Sequence, residues 1–184
     1  MRRTLALAVA LGLLLSNGTV AAQGETESAE VPSLEKLDGK YQYIGDQTKD
    51  TAMIQAQINA AVATMSSLIR NAARKKLEGS NDLVKSIEIS TKGDVVTVAL
   101  DDWVVDAPTN GSKRTVTTPA GESAQAWFEV ASASLIQEIE QKTGTRKNTF
   151  HFTDSDTLVM TVQETSSRLS TPVEYDLRYS TVKK

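Results

Sequence analysis

SIEISTKGDVVTVAL, residues 86–100, reads as two strands folded about a tight turn. Ile87 and Ile89 alternate with polar residues, Lys92-Gly93-Asp94 supplies the turn, and Val96 and Val98 resume the alternation on the way out. The same unit recurs downstream. Lys113–Thr118 and Ser123–Val130 surround Pro119-Ala120-Gly121, Leu135–Glu140 and Asn148–Phe152 surround Thr143-Gly144, and Thr157–Gln163 and Val173–Tyr179 follow. A short strand at Tyr41–Ile44 and another at Trp103–Val105 bring the total to about ten, joined in sequence by hairpins. That order is an antiparallel up-and-down meander. A meander of this length curls and closes, because a flat open sheet leaves two unpaired edges. The expected fold is therefore mainly β, a barrel of about ten strands.

The period changes once. Asp50–Leu77 contains neither glycine nor proline, and Ile54, Ile58, Ala61, Met65, Leu68 and Ala72 recur at spacings of three and four. This predicts one long amphipathic helix over about 50–77, inserted after the first strand, capped by Thr48 or Asp50 and ended by Gly79. At 1.5 Å per residue it would reach roughly 40 Å, more than a small barrel needs as a cap, so it bends near Ser66-Ser67 or lies along the sheet. If it packs across an open curved sheet, the class becomes α+β.

Outside the repeating pattern, the first 22 residues, MRRTLALAVALGLLLSNGTVAA, combine a basic start, a short apolar middle and a small-residue end. This is the pattern of a cleavable secretory signal, with cleavage expected after Ala22. The apolar run is too short to span a bilayer, and no later run approaches the required length. Residues 23–36 are polar and acidic and read as a disordered linker; residues 37–184 are the size of one domain. The chain carries 20 basic and 23 acidic residues, and losing Arg2 and Arg3 with the leader takes its formal charge from -3 to -5. An acidic surface without a basic stripe repels phosphate, which excludes nucleic acid as a partner. With no cysteine, neither a disulfide nor a lipid on an N-terminal cysteine is available, so the core alone holds the fold. The expected location is the bacterial periplasm or the medium. Asn110-Gly111-Ser112 matches a glycosylation triplet, but Asn-Gly is also a common turn dipeptide, and the turn is the reading adopted.

The order strand, helical segment, then nine antiparallel strands, opening on LDGKYQYIGD (residues 37–46), resembles the calycin superfamily, lipocalin-like and most similar to the fatty-acid-binding-protein barrel. The resemblance spans residues 37–181 as a pattern, with Gly39-x-Tyr41 echoing a Gly-x-aromatic opening. It implies a barrel enclosing an apolar or amphipathic ligand. That family holds ligand carboxylates with an Arg-x-Tyr pair on its last strand, whereas this chain has Tyr175-Asp176-Leu177-Arg178-Tyr179. Alternation puts the three odd positions on one face and Asp176 and Arg178 on the other, so arginine and tyrosine do not form that pair here.

Other chemistry-bearing groups are sparse. His151, the one histidine, alternates away from Phe150 and Phe152, and no nucleophile elbow accompanies any serine. Asp101-Asp102 and Asp154-Ser155-Asp156 sit at turns and lack the further ligands of a calcium loop. Arg70, Arg74, Lys75 and Lys76 read as a solvated helix end, with an anionic-ligand or anionic-membrane role as the lesser reading. No metal, cofactor or catalytic pattern emerges. The ligand-facing candidates are Tyr41, Tyr43, Tyr175 and Tyr179, as polar handles in an apolar cavity, with Phe150, Phe152 and Met160 as its walls. The same apolar residues are equally those of a filled core. The reading favoured is an exported, non-enzymatic binder of a small lipid-like ligand. The alternatives are a surface-acting interaction or inhibitor module with a filled core, and an enzyme using carboxylates or tyrosines.

Overall fold

Alternation of apolar and polar residues builds one ten-stranded antiparallel sheet. Its strands are β1 (Gly39–Tyr43), β2 (Ser86–Lys92), β3 (Val95–Leu100), β4 (Trp103–Pro108), β5 (Arg114–Thr117), β6 (Ser123–Ala131), β7 (Ser134–Gln141), β8 (Gly144–Phe152), β9 (Thr157–Thr165) and β10 (Val173–Thr181). The computed structural model describes residues 34–131 and 133–182. The expected signal and residues 23–33 of the expected linker lie outside them. The linker's last residues, by contrast, enter a 3-10 turn, Leu34–Leu37, which packs on β2 and buries Leu37.

Each strand pairs with its sequence neighbour except at one seam. β1 pairs with β10, joining Tyr43 to Tyr179 in register, so the sheet runs β4-β3-β2-β1-β10-β9-β8-β7-β6-β5 and curls until β4 and β5 face each other. No main-chain ladder joins those two edges. Side chains cross instead: Trp103 Nε1 donates to the Thr117 carbonyl at 2.8 Å, and the Arg114 guanidinium pairs with the Asp106 carboxylate. The link between them turns at Gly111, which has φ of 77°, with Ser112 N–H donating to Asn110 Oδ1. This is the turn expected of Asn-Gly.

The expected single helix is two, α1 (Gln47–Ala61) and α2 (Ser67–Ser80). The break is enforced from elsewhere in the chain. Ser170, between β9 and β10, donates from its N–H and its Oγ to the Ala61 carbonyl at 3.1 and 3.0 Å, occupying an acceptor that a continuing helix would use. Ser66 then takes an extended ψ of 148°. The N-cap of α1 is Asp46 rather than Thr48 or Asp50, its carboxylate accepting from the Thr48 and Lys49 N–H groups. Ile54, Ile58 and Ala61 are buried as the stripe predicts, and α1 packs on β10. Beyond the break the stripe fails: Leu68 and Ala72 are exposed, and α2 turns Leu77 and Ala73 toward the barrel.

Register stacks the barrel interior into rows across β6 to β10. The uppermost, nearest α2, contains Ala126, Ile139, Arg146, Glu164 and Val173; the next contains Phe128, Gln137, Asn148, Val162 and Tyr175; the third contains Val130, Leu135, Phe150, Met160 and Leu177. Polarity thus sits on top of an apolar base.

Candidate functional site

The upper two rows and the end of α2 form a polar cluster at the helix-covered mouth of the barrel. β8 runs from Gly144, four residues earlier than Asn148, and parity with Phe150 turns Asn148 and Arg146 inward. Glycine is required at 144 because a Cβ there would lie 2.3 Å from the Thr165 carbonyl oxygen of β9. Asn81, immediately after α2 and buried, organises the cluster. Its Oδ1 accepts from the Tyr175 hydroxyl at 3.1 Å and from Arg146 Nη1 at 3.3 Å, and its Nδ2 donates to Glu164 Oε2 at 2.8 Å and to the Leu77 carbonyl at 2.9 Å. Arg146 also donates to Asn148 Oδ1 at 3.0 Å and to the Ser80 carbonyl. Asn148 Nδ2 in turn donates to Gln137 Oε1 at 2.7 Å, while Gln137 Nε2 is buried without a protein partner.

Two cavities open on either side of α2. The larger, about 730 Å³, has apolar walls from Met65, Ile69, Ala73, Leu77 and Leu169, and cations from Lys76, Arg146 and Arg168. Among the described residues Glu164 is the one acid lining it, and Ser80 and Asn81 donate to its carboxylate. The smaller, about 430 Å³, is lined by Trp103, Leu100 and Ile139 together with four acids, Asp82, Asp101, Asp102 and Glu122. Lys76, Ser80, Gln141 and Arg146 line both. A salt bridge of 2.9 Å from Lys76 to Glu122 ties α2 to the β5–β6 turn above the smaller one. The two cavities therefore differ in charge: the larger is cationic and the smaller acidic.

The seven residues predicted from sequence take other positions. None of them lines either cavity. Phe150 and Met160 are fully buried in the third row. Phe152 packs against Tyr41 with ring centres 6.1 Å apart. The tyrosine hydroxyls are all committed: Tyr41 donates to the Leu37 carbonyl at 2.7 Å, Tyr43 to Asp50 Oδ2 at 2.5 Å, Tyr175 to Asn81 Oδ1, and Tyr179 to the Val84 carbonyl at 3.0 Å. The first and last strands do bring Tyr43 and Tyr179 together, ring centres 6.0 Å apart. Burial pushes the Tyr41 phenol up to about 12, helped by the Asp38 charge. Burial likewise raises Tyr179, and burial together with the Asp50 hydrogen bond raises Tyr43. Tyr175 is raised by burial while Arg146 beside it pulls the other way.

Arg146, Lys76, Asn81 and Gln137 were not among the candidates. Arg146 shares parity with Phe150, and Gln137 lies between Leu135 and Ile139 on the same face, so extending the alternation finds two of the four, Arg146 and Gln137, facing inward, together with Asn148; Asn81, after α2, lies outside any strand. Lys76 carries no such signal within the helical charge cluster. On β10 the predicted alternation is observed, with Tyr175, Leu177 and Tyr179 inward and Asp176 and Arg178 outward. His151 is half-buried on the outer face, and Asp154 caps its turn, accepting from the N–H groups of Asp156 and Thr157. Those hydrogen bonds hold the Asp154 carboxyl below its ordinary value. Among the described residues, no group of three His, Cys, Asp or Glu could hold a metal ion, and no helix is long and apolar enough to cross a membrane.

No protein-family model and no curated protein matches the sequence. Solved structures match the fold. A fatty acid transporter titled REP1-NXSQ aligns over 82% of this chain and 98% of its own at a TM-score of 0.52 and 14% identity. Lipid binding protein 8 of Caenorhabditis elegans aligns over 83% and 99% at 0.51 and 15% identity. The fluorescent protein UnaG aligns over 81% and 99% at 0.54 and 14% identity. The chain thus shares the fold of these proteins, a ten-stranded antiparallel barrel with a helical pair after the first strand.

Proposed function

We propose that this chain is an exported, non-enzymatic binding protein that holds one amphipathic molecule, with an anionic head and an apolar body, in the cavity beneath α2. The observation that carries this reading is the larger cavity itself. Its volume of about 730 Å³ suits a small organic ligand, apolar walls come from α2 and the β9–β10 loop, and Arg146, half-buried on β8, and Lys76, exposed on α2, also line it. Among the described residues Glu164 is the one acid lining it and already accepts hydrogen bonds from Asn81 and Ser80, and Lys76 is paired with Glu122, so the lining cations without a salt-bridge partner among those residues are Arg146 and Arg168. A charge-assisted hydrogen bond from a partly buried guanidinium is the strong kind of anchor for a carboxylate, sulfate or phosphate head. Two proteins of the same fold are titled a fatty acid transporter and a lipid binding protein, which supports an amphiphile as the ligand class. Export rests on the leader sequence alone.

The test is native mass spectrometry of the protein recovered gently from its own host, with organic extraction of whatever it carries. A species starting at Gln23 with an adduct lost on denaturation is the expected result; Arg146→Ala should abolish the adduct or weaken binding of a simple alkyl carboxylate about tenfold or more. Bare protein with no shift on adding amphiphiles would move the assignment to a surface-acting module. The filled lower half of the barrel is the observation that favours that second reading.

A further inference from the structure

The accessible space of the barrel ends abruptly. In the uppermost row Arg146 and Glu164 are half-buried and line the larger cavity. One row deeper, Phe128, Gln137, Asn148 and Val162 each have 0% of their surface accessible to water, and Tyr175 has 4%. In the third row Leu135, Phe150 and Met160 are again at 0% and Leu177 at 1%, with Val130 near the end of β6 half-buried. A side chain without water-accessible surface borders no space in which a water molecule fits, so nothing larger fits beside it. The strands across the barrel repeat the pattern, with Val96, Val98 and Ala107 also at 0%. At the opposite end the 3-10 turn at Leu34–Leu37 packs on β2 and buries Leu37, whose carbonyl accepts from the Tyr41 hydroxyl.

Resting on the mouth being the ligand site, we infer that binding in this barrel stops at the first row, and that the layer of Phe128, Gln137, Asn148 and Tyr175 beneath it sets a ceiling on the length of the ligand's apolar tail. A tail that tried to descend would have to part Asn148 from Gln137 and Tyr175 from Asn81, leaving buried polar groups unpaired beside a hydrocarbon chain. It would then meet Phe150 and Met160 already in van der Waals contact with their neighbours, where added volume forces strain. The amphiphile that fits is therefore short or bent, with its head at Arg146 and its body along α2, and not a long chain extended down the barrel axis.

The ceiling is read by titrating the purified, lipid-stripped protein with straight-chain carboxylates from hexanoate to octadecanoate by calorimetry. While the tail is being covered by Met65, Ile69, Leu77 and Leu169, each added methylene should tighten binding about fourfold. Past the capacity of the mouth, further methylenes should add nothing, and the affinity should level off well before octadecanoate. A steady climb to octadecanoate would overturn the ceiling while leaving the mouth site standing. Failure of every member of the series to bind would overturn the ceiling and the proposed function together.

Discussion

The two ends of this barrel are built on opposite principles. At the helix-covered end, a buried asparagine, an arginine, a glutamate and a tyrosine satisfy one another through hydrogen bonds, and cavities flank the helix above them. At the other end, Phe150, Met160, Leu135 and Leu177 interlock without a polar atom among their side chains. The first arrangement leaves room and directional chemistry at a cost in stability, because each polar group there depends on its partner. The second leaves none, and supplies the hydrophobic burial on which a cysteine-free chain depends. A single β pattern has been divided along its axis into a site and a core.

Substitution should separate the two halves. Phe150→Ala removes the centre of the packed half and should cost about 3–5 kcal/mol in chemical denaturation, while leaving affinity for a mouth-bound amphiphile unchanged at temperatures where the variant is folded. A loss of affinity equal to that of an Arg146 variant would erase the division. Asn81→Ala strips partners from Tyr175, Arg146 and Glu164 at once and should cost about 2–3 kcal/mol. Here binding should weaken together with stability, since Arg146 loses one of its fixed acceptors; unchanged binding would show that the cluster is scaffold only.

These contrasts also mark where the sequence is legible. The period-two runs specify all ten strands, because register on a half-buried sheet leaves a strand one choice of inward face. The broken helix is legible only in part: its excess length and Ser66-Ser67 point to a bend where α2 begins, but not to a full interruption. Residues 50–77 carry no breaker, and the interruption comes from Ser170, more than a hundred residues away, taking the Ala60 and Ala61 carbonyls. The site lies between these cases. Aromatic residues attract attention as ligand walls, yet every tyrosine hydroxyl is already bound to protein, whereas the polar interruptions Gln137, Arg146 and Asn148 on apolar faces mark the end at which the cavities open. Lys76 joins the mouth only through the placement of α2, which no local pattern encodes.

The smallest expected effect belongs to alkaline pH and again distinguishes the ends. Tyr41 fastens the closed end, and its phenol, at 10.0 when unfolded and about 12 when folded, contributes stability that is complete below pH 10 and lost as the pH rises toward 12. Tyrosinate absorbance should therefore lag behind that of a free phenol, and Tyr41→Phe should flatten part of the alkaline loss without affecting ligand affinity at neutral pH. Tyrosinate appearing at the free-phenol value in the folded protein would show that the closed end is open to water.

The division itself is tested most directly by methyl chemical shifts recorded while the protein is saturated with a short alkyl carboxylate. Ile69, Leu77 and Leu169 around the larger cavity should shift, and Leu135, Leu158 and Leu177 in the packed interior should stay where they are. Shifts of comparable size in the interior set would mean that the ligand enters the barrel, and would contradict a structure divided into site and core.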